Sequence, residues 1–133
     1  MEPLIRTIFS KYNRYLAEEK LLKRWLSNRE NPEIRQELVL LDMKIASVQS
    51  WFNLLNEDER FVIQKHLIEE LDWPRVAYAF SDRWQMEFRR TERTLLHYQS
   101  SALKKIDSFC KCHKEIISAL FGDLQDEQKT EEP

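Results

Sequence analysis

Arg93, His97, Ser101 and Lys104 follow one another at steps of four, four and three residues. On an α-helix that spacing lines a single stripe, flanked here by Thr94, Ser100 and Lys105. Such a stripe suits duplex DNA. Arginine can pair with guanine O6 and N7, and a recognition helix reads bases near its N-terminal end, where Arg93 and His97 stand. Lys104, Lys105 and Arg75 would contact phosphates. The short side chains of Ser100, Ser101 and Ala102 would allow a close approach. The competing interpretation of the stripe is a solvated face of a helical bundle.

Other chemistry-bearing residues point less far. Cys110, Cys112 and His113 form a C-x-C-H cluster. On a helix Cys110 and His113 share a face while Cys112 points elsewhere, and tetrahedral zinc needs four convergent ligands. No metal is expected, and Cys110 reads as a small buried thiol. Cysteines one residue apart pair poorly as a disulfide, which predicts a reduced, cytoplasmic protein. His66, beside Lys65, reads as surface. No nucleophile elbow or paired-carboxylate pattern marks an enzyme, and no cofactor is implied. The single glycine, Gly122, excludes glycine-rich phosphate loops. No stretch approaches the ~20 apolar residues of a membrane span. Met1 to Arg6 lacks the basic region of a signal peptide.

Charge is segregated along the chain. The net charge of -2 conceals a run from Arg83 to Lys114 with eight basic and three acidic residues. Acidic stretches flank it, from Glu57 to Asp72 and from Glu115 onward. A basic run between acidic ones suggests an anionic partner at one place.

The elements that would position these residues are helical. With one glycine the chain cannot supply the tight turns of antiparallel sheets, so the fold class is all-α. A first helix runs from Pro3 to about Leu26. Asn31 caps a second, in which Ile34, Leu38, Leu41, Ile45, Val48, Phe52 and Leu55 alternate at four and three residues, a coiled-coil seam. The short connection predicts an antiparallel helical hairpin over residues 1–55, with Tyr12, Tyr15, Trp25, Trp51 and Phe52 on its apolar stripes. Asn56 and Glu59 form a capping box for a third helix. Asp72 caps a fourth that turns Val76, Ala77 and Phe80 inward. Thr91 caps a long C-terminal helix in which Leu96, Leu103, Cys110, Ile117 and Leu124 recur every seven residues. Residues 123–133 read as an acidic disordered tail.

Residues 56–122 carry an ordered set of submotifs: Glu59-Arg60-Phe61-Val62, then Trp73-Pro74-Arg75-Val76-Ala77, then Thr91-Glu92-Arg93-Thr94-Leu95, then Ala102-Leu103-Lys104-Lys105-Ile106. In this order they resemble region four of the sigma-70 family and the sigma-like late-gene regulators of phages, the ArpU and RinA type. The resemblance implies a helix-turn-helix in which Arg93, Thr94, His97 and Ser101 match positions that touch promoter DNA. Leu96 stands where that family often has a basic residue. The family's turn is short, whereas here Ser81 to Arg90 intervene. Arg83, Arg89 and Arg90 could reach phosphates as a basic wing, or Trp84 and Phe88 could fold the segment onto the core.

These observations lead to the expectation of a phage or prophage DNA-binding transcription regulator acting on double-stranded DNA. It would modulate RNA polymerase, with the acidic third helix (Glu57, Asp58, Glu59, Glu69, Glu70) as a contact surface, and would work as a homodimer. The rivals are a helical protein-protein adaptor that never touches DNA and a ring-forming packaging subunit.

Overall fold

A computed structural model describes residues 1–84 and 91–131, with side chains to residue 125. The described residues form six α-helices and one π-helical turn, with no strand. No helix among them is long and apolar enough to cross a membrane.

Helix starts follow local chemistry. α1 (Glu2–Asn28) begins with proline in its first turn, where the missing N–H costs nothing. α2 (Pro32–Phe52) starts at Asn31, whose side chain accepts from the Glu33 and Ile34 amides. α3 (Glu57–Val62) carries a complete capping box. Asn56 Oδ1 accepts from Glu59 N at 2.9 Å, and Asn56 N donates to Glu59 Oε1 at 3.0 Å. α4 (Trp73–Arg83) starts at Asp72, which accepts from Arg75 N. α5 (Glu92–Cys112) starts at Thr91, which accepts from Thr94 N. α6 is Lys114–Glu131. Each cap satisfies a helix amide that has no carbonyl partner.

Two cores organise the packing. The larger takes Ile5, Ile8 and Phe9 from α1, Leu41, Ile45, Val48 and Trp51 from α2, Leu103 and Ile106 from α5, and Leu120, Phe121 and Leu124 from α6. Phe9 meets Trp51 edge-on at 5.7 Å between ring centroids. The smaller core gathers Val62, Val76, Ala77, Phe80 and Leu95. The larger core therefore draws on residues from both sides of position 55. α5 spans the two cores, through Leu95 at one end and Leu103 and Ile106 further along.

Between α3 and α4 the chain widens into a π-helical turn, Ile63–Ile68. In an i→i+5 turn residues five apart align, which keeps Ile63 and Ile68 together in the larger core while Val62 serves the smaller one. Glu70, at φ 60°, is a non-glycine residue in the left-handed region, the bend that releases the chain toward Asp72.

Several sequence expectations are corrected by the packing. The long C-terminal helix is broken at His113 (φ -130°, ψ 39°) and again at Phe121 (φ -124°, ψ 22°). The second break accompanies burial of Phe121 at 6.2 Å from the Trp51 ring. From Asp123, where a disordered tail was expected, helix continues to Glu131, and Leu124 is buried. Leu96 is 49% exposed rather than on a buried seven-residue row. Trp25 is 56% exposed, because no element among the described residues covers its side of α1. His66 is half-buried. Its ring stacks on Trp73 at 3.8 Å, and its Nδ1 lies 2.9 Å from the Leu71 carbonyl oxygen.

Candidate nucleic-acid interface

α5 is held rigidly enough to present a face. At its start Thr94 N donates to Thr91 Oγ1 at 3.2 Å, and the two hydroxyls lie 2.9 Å apart. Thr94, a candidate for DNA contact, thus takes part in the cap. Behind the helix Leu95, Ala102, Leu103 and Ile106 are buried. Gln99 sits in the same row and is 1% exposed, and its Oε1 has no hydrogen-bond partner among the described residues. Gln99 was legible as a row member, since 95, 99, 102 and 106 step by four, three and four, but its polarity masked it.

Arg93, His97 and Lys104 are exposed and Ser101 is half-buried. Among the described residues Arg93, His97 and Lys104 form no ion pair. From Arg93 to Lys104 the stripe is about 16 Å long at ~1.5 Å per residue, a length that fits along a major groove.

Lys105 has a different position. Its Nζ donates to Glu59 Oε1 at 2.7 Å, and the Glu59 side chain is only 2% exposed. Burial pushes the Glu59 carboxyl up, but Lys105, the Asn56 amide and the Ser101 hydroxyl together outweigh it and hold the group below the ordinary carboxylate range. Ser101 and Lys105 are therefore turned toward Glu59. They pin α5 to the start of α3. Glu59 does not belong to an acidic outer surface, whereas Glu57, Glu69 and Glu70 are exposed.

Arg75 is exposed on α4. Arg83 lies over the Phe61 and Trp84 rings, at 5.6 Å and 5.1 Å from their centroids. Trp84 stacks on Phe80 at 4.4 Å, so the first part of the segment after α4 folds back on the smaller core. Phe88, Arg89 and Arg90 lie outside the described residues.

Cys110 is buried and Cys112 exposed, both as free thiols. Burial, with Asp107 nearby, pushes the Cys110 thiol up to about 12, which leaves it unreactive. No group of three or more His, Cys, Asp or Glu is gathered among the described residues. A groove of about 580 Å³ lies between α3 and α4, walled in part by Phe61, Arg60, Lys65 and Arg83. Its cations have internal contacts. Arg60 Nε donates to the Phe52 carbonyl at 2.7 Å, Lys65 pairs with Glu69 at 3.2 Å, and Arg83 covers rings.

No protein-family model, curated protein or solved structure matches the chain.

Proposed function

We propose that the protein is a DNA-binding transcription regulator of phage type, with α4 and α5 as a sigma region-four-like helix-turn-helix and α5 as the recognition helix. One observation carries this function. The outward stripe of α5 holds Arg93, His97 and Lys104, which form no ion pair among the described residues, while its inward row is buried and its flank is pinned by Lys105 to Glu59. A cationic face fixed in orientation and turned outward is what groove binding uses. Arg93 and His97 read bases, Lys104 and Arg75 hold phosphates, and Lys105 and Ser101 set the tilt of the helix. RNA polymerase is the partner that a sigma-like module would modulate. The segment between α4 and α5 is longer than the family's turn, so the two helices are held together by the smaller core rather than by a tight turn.

Fluorescence anisotropy against duplex libraries over a salt series tests this. Lys104→Ala should weaken all duplexes alike and lower the salt slope by ~1. Arg93→Ala should reduce discrimination at one base position, by about 1–3 kcal/mol. Lys105→Ala should act mainly on stability. If the parent protein binds no duplex at low salt, the helical adaptor takes the place of the regulator.

A further inference from the structure

A second surface is uncovered, on the other half of the chain. Leu21 and Trp25 of α1 are 65% and 56% exposed, and Leu40 of α2 is 48% exposed. A groove of about 230 Å³ runs between these helices, lined by Glu18, Leu22, Glu37, Leu40, Leu41 and Lys44. By helical spacing Leu21 stands beside Glu18 and Trp25 beside Leu22, so the exposed apolar side chains rim the groove.

The order of residues along α2 suggests what fills it. Glu37, Leu40 and Lys44 form one outward stripe, an acid, a leucine and a base, with the buried Leu41 forming the floor of the groove beside it. Glu18 is already paired with Arg14 at 3.0 Å. Glu37 and Lys44 have no ion-pair partner among the described residues, and the Lys44 ammonium lies 5.6 Å from the Tyr15 ring centroid.

We propose that this groove is an interface between two copies of the chain, in which α2 lies antiparallel to the partner's α2 about a two-fold axis between Leu40 and Leu41. An isologous contact requires a surface complementary to itself. Reversing the stripe about its midpoint sets Glu37 against the partner's Lys44 and Lys44 against the partner's Glu37, with the exposed Leu40 of each copy flanking the axis while Leu41 stays in the larger core. A parallel pairing would set like charge on like charge. Trp25 and Leu21, on the neighbouring helix, close over the apolar centre and exclude water, the arrangement in which a tryptophan anchor stabilises an interface most. The interface does not depend on DNA binding.

Sedimentation velocity of the full chain at a series of concentrations, without DNA, tests the arrangement. The parent should sediment at twice the 16.2 kDa chain mass. Glu37→Lys and Lys44→Glu should each raise the dissociation constant about tenfold, because the two-fold axis repeats each substituted charge pair. The double variant, with the charges exchanged, should restore parent-like association. Leu40→Asp should give a monomer with an unchanged far-UV circular dichroism spectrum. A parent that stays monomeric through the series overturns the proposal. So does an assembly indifferent to the single variants, or a double variant no better than either single one.

Discussion

α2 and α5 are each 21 residues long, and each buries one row in the larger core. They differ in how they are tied to a neighbour and in what they show outward. α5 is tied by opposite charges, Lys105 to the buried Glu59 at 2.7 Å. α2 is tied to α1 through two acids. Asp42 faces Glu19, and the Asp42 Oδ1 is buried without a hydrogen-bond partner among the described residues. Outward, α5 presents exposed cations, whereas α2 presents leucine between an acid and a base. Equal burial on the inside therefore says nothing about the partner. The outer stripe carries that information, and the polar tie sets the angle at which it is offered.

The largest expected effect examines what the two helices share. Ile45→Ala on α2 and Leu103→Ala on α5 should each lower unfolding free energy by about 3 kcal/mol, read from urea midpoints. A neutral result at either position would separate the helix from the common core. Next comes the tie of α5. Glu59→Gln should cost about 1–2 kcal/mol at neutral pH. The Glu59 carboxyl is depressed in the folded protein relative to its ordinary value of 4.5. Its contribution is thus present above that value and lost as pH falls through the folded pKa. The variant should accordingly flatten that part of the acid-unfolding curve, and an unchanged curve would mean that the pair does not hold α5. The smallest effect has the opposite sign. The hydrogen bond with Asp42, then burial, then the Asp42 charge raise Glu19, with Lys23 opposing. A raised carboxyl stabilises the fold below its ordinary value, and the effect is lost as pH rises through the folded pKa. Asp42→Asn should therefore stabilise the protein by about 0.5 kcal/mol at pH 7, the scale of a solvent-screened charge pair, measured as a raised urea midpoint. A lowered midpoint would show that the α1–α2 tie is favourable as it stands.

Much of this was legible from neighbours in sequence. Asn31, Asn56, Asp72 and Thr91 were readable as caps because a cap is made within three residues. The α2 seam was readable because its period repeats, and Leu38, Leu41, Ile45, Val48 and Leu55 are buried. The α5 stripe was readable for the same reason, whereas the pairing of its flanking Lys105 with Glu59 was not. That pairing joins residues 46 positions apart, and no local pattern announces it. The burial of Gln99, the π-helical turn, and the exposure of Trp25 and Leu96 escaped for a related reason. Each depends on which element passes nearby, not on the residue's own periodicity.

By itself, then, the order of amino acids determined an all-helical chain, four of its helix starts and the inward row of α2. Those features follow from backbone donors seeking nearby acceptors and from apolar side chains repeating with the helical turn. Only the tertiary structure decided which charges are tied inside, where the last helix breaks, and which apolar residues stand uncovered. Those outcomes depend on distances between segments far apart in the chain, which are set only when the two cores close.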